Sequence, residues 1–123
     1  MLKVFSFILP SFFISLSISA QTKIPVEEAS KHIGETVTVC DKVYETDFME
    51  KSKQKATFLK MGGVYPMHKI DIVINFRDRK NFGDKPEDYY LDKDVCITGK
   101  VVEFKGKPQI IISKPAEIQI GAE

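Results

Sequence analysis

The stretch VCITGKVVEFKGKPQIIIS, residues 95–113, decides how the rest of the chain is read. Val95, Ile97 and Val101 fall on one side of an alternating run, and Cys96 falls on the other. A second run, KPQIIISKPAEIQI, follows at residues 107–120 and contains the apolar QIII at 109–112. Between the alternating run and QIII lie Lys105, Gly106, Lys107 and Pro108, a polar, turn-forming tip. Two such runs around such a tip predict two strands joined by a tight hairpin. Gly99 sits inside the first strand, where glycine permits a sharp bend.

Three upstream runs have the same character. TVTVCDKVYETDF (36–48) puts Val37, Val39 and Val43 on one face and Thr36, Thr38, Cys40 and Lys42 on the other, which predicts a first strand. ATFLKMGG (56–63) predicts a second, ending at a glycine pair. KIDIVINF (69–76) predicts a third, with Ile70, Ile72, Ile74 and Phe76 in phase and therefore in the core. The polar MEKSKQK (49–55) is expected to be a loop, and VYPMH (64–68) a turn with His68 in solvent. PVEEASKHIGE (25–35) predicts a short helix with Pro25 in its first turn, Gly34 as its C-terminal cap and His32 packing or capping within it. In RDRKNFGDKPEDYYLDKD (77–94), Arg77 to Phe82 predicts a short helix capped by Gly83, and Pro86 opens another turn. Tyr89 and Tyr90 are expected to pad one end of the domain.

The order is strand, strand, strand, helical segment, strand, strand. This is the order of an OB-fold: all-β, a five-stranded Greek-key barrel, here with a short N-terminal helix. Closure protects the sheet edges, and Gly62, Gly63 and Gly99 suit a curved sheet. The alternative is an open sheet with helices on one side. In the barrel the first and fourth strands are neighbours, and Cys40 and Cys96 both face outward by phase. A cross-strand disulfide is then sterically possible, subject to register. Two unpaired thiols are the other reading.

The segment MLKVFSFILPSFFISLSISA (1–20) has one early cation, Lys3, then an apolar run broken by Pro10, then small residues up to Ala20. That is the layout of a cleavable secretory signal peptide. It divides the chain into a signal peptide, 1–20, and one OB-fold domain, 21–123. It also implies an exported protein, periplasmic or secreted, with no stable membrane insertion after cleavage. Exported cysteines sit where disulfides persist. Lysines and arginines number 18 against 17 acids. Without Lys3 the domain is formally neutral, whereas proteins that draw affinity from phosphates usually carry a basic excess. Any basic surface must be local.

The segments HIGETVTVCDKV, TFLKMGGVYP, IVINFRDRKNFG and VCITGKVVEFKGKPQIIISKPAEI resemble the nucleic-acid-binding-like OB-fold module of exported bacterial proteins. That module occurs alone and appended to secreted nuclease or phosphoesterase polypeptides. The likeness covers nearly all of residues 31–118, and ITGKVVEFKGKPQIIIS is its most specific part. It implies nucleic-acid binding and brings no defining catalytic residues.

The residues themselves point to binding and not to catalysis. His32 and His68 lack ligand-type spacing, and no nucleophile or metal motif is present, so no cofactor, metal or catalytic residue is expected. Asp71, Asp78, Arg77 and Arg79 form the one grouping reminiscent of a nuclease, and a solvated helix start explains them as well. OB barrels bind across their second and third strands, between two flanking loops. Here Lys51, Lys53 and Lys55 occupy one loop and Lys105 and Lys107 the other. Phe58, Lys60 and Tyr65 lie on or beside the strands between them. Phe58, Tyr65 and Phe76 are the aromatic candidates, with the core as the other reading of Phe58 and the favoured one of Phe76, and Tyr65 the better exposed. The expected partner is single-stranded DNA or RNA, held with little sequence preference. The alternative is a protein or small envelope ligand, with the lysines no more than solvated loop residues.

Overall fold

A computed structural model describes residues 22–121, so the expected signal peptide lies outside the described residues. Seven strands are present: β1 Thr22–Ile24, β2 Thr36–Phe48, β3 Thr57–Met61, β4 Ile70–Ile74, β5 Asp94–Phe104, β6 Lys107–Ile112 and β7 Ile118–Ile120. Short 3-10 helices span Val26–His32, Phe76–Phe82 and Pro115–Glu117, and one α-helical turn, α1, spans Pro86–Tyr89. The five strands expected from the sequence become β2 to β6. They close on themselves: β2 pairs with β3, β3 with β4, β4 with β6, β6 with β5, and β5 with β2. This is an all-β, OB-like barrel.

Closure depends on the length of β2. Its first half, Thr36 to Lys42, pairs with β5, while its second half, Val43 to Phe48, pairs with β3. The register shifts between Val43 and Glu45. A bulge bends its strand and lets one strand serve two walls. Alternation then fills the interior with Val37, Val39, Val43, Leu59, Ile72, Ile97, Val101 and Ile110, all essentially inaccessible. Glycine is required at position 99 because β5 crosses β6 closely: a Cβ there would lie 2.6 Å from Ile110 Cγ2.

Cys40 and Cys96 stand directly opposite each other in the β2–β5 register. They form a disulfide, with Cα atoms 4.0 Å apart and sulfurs 2.00 Å apart. The bond ties together the two strands that complete the barrel. A second tie lies at the opposite end of β4 from Asp71. There Arg79 donates two hydrogen bonds to Glu87, that from Nη2 being 2.8 Å, and a further one of 2.8 Å to Thr57 Oγ1. Its guanidinium also covers the Phe48 ring at 3.7 Å. The hydrogen bond from Arg79 holds the Glu87 carboxyl below the usual carboxylate range, and Glu87 in turn raises Arg79.

Several expectations change. Both predicted helices are 3-10, and Pro25 sits just before the first of them. The fifth predicted strand divides into β6 and β7 at the turn Pro115–Glu117, and β1 adds to β2 in parallel. Phe76 is not in the core but 52% exposed. Strand β4 ends at Ile74, so the two-residue phase no longer governs Phe76, which opens a 3-10 helix. His68 is not solvated but buried. The chain returns through Lys69 N–H to Met61 C=O (2.9 Å) and folds the imidazole inward near Tyr65. Tyr90 packs against the barrel end, where burial pushes its hydroxyl up, whereas Tyr89 remains outside beneath the Lys93 ammonium. His32 is half-buried, its Nδ1 3.1 Å from Glu35 Oε2.

Candidate functional site

The outer faces of β3, β4 and β6 form one open groove. On β3, Thr57, Leu59 and Met61 point inward, so Phe58 and Lys60 point out. Phe58 is registered with Val73 and Lys60 with Asp71 on β4. Those two are registered in turn with Ile111 and Gln109 on β6. The floor is therefore two rows, Phe58–Val73–Ile111 and Lys60–Asp71–Gln109. The first row is apolar and the second polar, while the walls of each half mix apolar and polar side chains.

Around the apolar row lie Phe76, Arg77, Asn75, Gln54, Ala56 and Phe104, enclosing about 630 Å³. Around the polar row lie Tyr65, His68, Lys105, Lys107, Met49, Glu45 and Asp47, enclosing about 510 Å³. Phe58, Phe104 and Gln109 belong to both, so the two halves are one continuous trough.

Each phenylalanine of the trough has an ammonium group over it. Lys55 Nζ lies 5.3 Å from the Phe76 ring centre, Lys60 Nζ 5.2 Å from Phe58 and Lys105 Nζ 5.4 Å from Phe104. Tyr65 is matched by Lys107 Nζ at 5.7 Å, and the same ammonium donates to Pro66 C=O at 3.3 Å. A cation over a ring face is an electrostatic attraction to the quadrupole. Here it also places a positive charge beside each flat apolar platform, that of Lys60 being held by Asp71.

The charge along the trough is uneven. In the polar half Lys60 donates to Asp71 Oδ1 at 3.3 Å, and His68 Nε2 lies 3.0 Å from the same oxygen. Glu45 Oε2 accepts the Tyr65 N–H at 2.9 Å. With Asp47 alongside, three carboxylates face three lysines there. In the apolar half Arg77 is the charged lining residue, and Lys55 stands above Phe76.

Of the residues singled out in the sequence, Phe58, Lys60, Tyr65, Lys105 and Lys107 come together in this trough, and Lys55 reaches it through Phe76. Lys51 lies in a separate depression with Phe48, Met49, Glu50 and Ser52. Lys53 is exposed on the same loop and lines neither half of the trough. Asp71 belongs to the trough, whereas Arg79 is held by Glu87, and Asp78 lies 3.5 Å from Arg77 Nε. Among the described residues no cluster of three or more His, Cys, Asp and Glu side chains could hold a metal ion.

Phe104, Asn75 and Gln109 escaped sequence reasoning, and Phe76, a candidate platform, was assigned to the core by its phase. Phe104 left a usable signal, since it is out of phase with Val101 and so belongs to the outer face of β5. Phe76 left a misleading one. Gln109 looked like part of an apolar run, and only its register with Asp71 puts its amide in the floor.

No family model matches the chain, and no curated protein matches it. Among solved structures it is similar to one described as an aspartyl-tRNA synthetase from Leishmania major Friedlin, with a TM-score of 0.54 at 16% identity. The match covers 89% of this chain and 22% of that one. At that identity the likeness bears on the fold alone.

Proposed function

We propose that this chain is an exported, non-catalytic OB module that binds single-stranded nucleic acid with little sequence preference. The observation that carries the reading is the repeated pairing of a lysine ammonium with each phenylalanine of one trough, at 5.2, 5.3 and 5.4 Å. Single strands are held by aromatic platforms for the bases and cations for the backbone. A base stacking on Phe58, Phe76 or Phe104 displaces the ammonium toward the adjacent phosphate, so one lysine–phenylalanine pair serves one nucleotide. Lysines offer point charges without forked geometry, which suits tolerant contact. The similar solved structure carries RNA in its name, which agrees with the reading. Export is supported by the disulfide, which persists in oxidising compartments. Among the described residues no helix is long and apolar enough to cross a membrane.

Affinity is expected to be modest, because the carboxylates of the polar half offset its lysines. Fluorescence anisotropy of a labelled oligothymidylate and an oligouridylate at low salt tests the proposal. Binding should weaken with salt at a slope of about −2 if three phosphates are neutralised, and Phe58→Ala should weaken it further. No binding at low salt would sink the proposal. The charge-balanced polar half favours a second reading, a protein or small envelope ligand. That reading gains if association with an envelope extract persists at high salt while oligonucleotides do not bind.

A further inference from the structure

The loop between β3 and β4 carries three exposed large side chains, of which Val64 and Met67 lie outside the trough and Tyr65 lies at its edge. Val64 is 54% exposed, Tyr65 66% and Met67 71%. The loop that presents them is well tied. Gly62 N–H donates to Asp41 Oδ2 (2.8 Å), Tyr65 N–H to Glu45 Oε2 (2.9 Å), Met67 N–H to Val64 C=O (2.8 Å), and Lys107 Nζ to Pro66 C=O (3.3 Å). Apolar side chains at the tip of an ordered loop remain in water in spite of that ordering, which points to a use outside the domain.

Cations surround the tip. Lys69 follows it, its stem lying against Gly62, and the exposed Lys105 and Lys107 project from the β5–β6 hairpin at the same end. Of the neighbouring acids, Asp41 and Glu45 are half-buried and accept backbone N–H groups while keeping their charge, and Asp47 and Glu103 are exposed. Lys69, Lys105 and Lys107 are all exposed at this end, and an apolar tip flanked by exposed lysines is an arrangement by which a peripheral protein enters an anionic lipid surface. A protein partner is a poorer fit. Three side chains fall well short of the ~800 Å² per partner of a stable interface.

We propose that residues 62–69 form a membrane-interface finger. Val64, Tyr65 and Met67 enter the headgroup–acyl boundary of an anionic bilayer, while Lys69, Lys105 and Lys107 hold its headgroups. The association is peripheral and reversible. Tyr65, Lys105 and Lys107 also line the trough, whereas Val64 and Met67 do not, so substitutions at Val64 and Met67 test the finger separately from the nucleic-acid reading.

The chain contains no tryptophan, so Met67→Trp supplies a single local probe. Its emission should shift to the blue with phosphatidylcholine vesicles containing phosphatidylglycerol, and not with phosphatidylcholine alone. Flotation of the otherwise unaltered chain should show the same lipid dependence, and Val64→Ser with Met67→Ser should weaken it about tenfold. These chains differ only in the finger, so any contribution of residues 1–20 is common to them. Unchanged thermal melting and oligonucleotide binding would show that the serine variant is folded. An unshifted indole emission from the Met67→Trp variant, or undiminished flotation of the serine variant, overturns the proposal. So does a concentration-dependent dimer that the serine variant abolishes, because the finger would then be a protein contact.

Discussion

The two lysine-rich loops look alike in sequence and differ in space. The β2–β3 loop carries Lys51, Lys53 and Lys55 at two-residue spacing, and the β5–β6 hairpin carries Lys105 and Lys107 at the same spacing. In the hairpin both lysines line the trough, because the tip is two residues long and its strands are held by neighbours on both sides. In the longer loop only Lys55, next to β3, reaches it. Lys51 and Lys53 remain outside. Charge density along the chain is thus a poor guide to a site, whereas distance from a registered strand is a good one.

The largest effect should come from what anchors the hairpin. Replacing both Cys40 and Cys96 with alanine removes a cross-link over a separation of 56 residues. That should lower stability by about 4 kcal/mol on chain-entropy grounds, read as a lower urea midpoint. A change under ~1 kcal/mol would mean that the β2–β5 ladder holds without the bridge.

Next in size is the platform between the two loops. Phe58→Ala should weaken oligonucleotide binding by ~1–3 kcal/mol, roughly tenfold or more. An equal loss from Tyr89→Ala, whose ring lies outside the trough under Lys93, would instead mean that the binding surface is elsewhere.

The loops themselves can be compared at equal charge. Lys105→Ala with Lys107→Ala should weaken low-salt binding about tenfold and flatten the salt slope by about 0.7, since Lys105 is one of the three lysines paired with a phenylalanine. Lys51→Ala with Lys53→Ala should change affinity less than about twofold. Equal losses from the two pairs would erase the distinction between the loops.

The smallest effect concerns acid and the base of the first loop, where Arg79 covers Phe48. Glu87 titrates lower folded than unfolded because Arg79 hydrogen-bonds it. Its contribution to stability is therefore present above the unfolded carboxylate value and is lost as pH falls through the folded one. Thermal melts of Glu87→Gln should lie below those of the parent at neutral pH and converge with them in acid. A gap independent of pH would assign the effect to packing.

Much of the fold was legible in the residues. The phase of Val37, Val39 and Val43, of Ile70, Ile72 and Ile74, and of Val95, Ile97 and Val101 predicted the inner face, since a half-buried strand must alternate. Opposite phase also made the Cys40–Cys96 bridge a sterically open choice, and the register decided it. The trough was only half legible. Phe58, Lys60, Tyr65, Lys105 and Lys107 lie on or beside strands whose order was already fixed, so their convergence followed. Phe76 did not follow, because alternation carries no information past the end of a strand. The burial of His68 depended on how the β3–β4 loop folds back, a contact between positions that no periodicity relates.

What the amino-acid sequence determined by itself was the barrel: its five closing strands, their order and their inward face follow from local periodicity and turn chemistry, while β1 and β7 do not. Lys60 over Phe58 and Lys105 over Phe104 are contacts within one strand and one hairpin. Only the tertiary structure decided that Lys55 meets Phe76, that Lys107 meets Tyr65 and that Asp71 offsets Lys60. Those contacts join the β2–β3 loop to the Phe76–Phe82 helix, the β5–β6 hairpin to the β3–β4 loop, and β3 to β4. They are fixed by strand register and loop path, neither of which is written within any single segment.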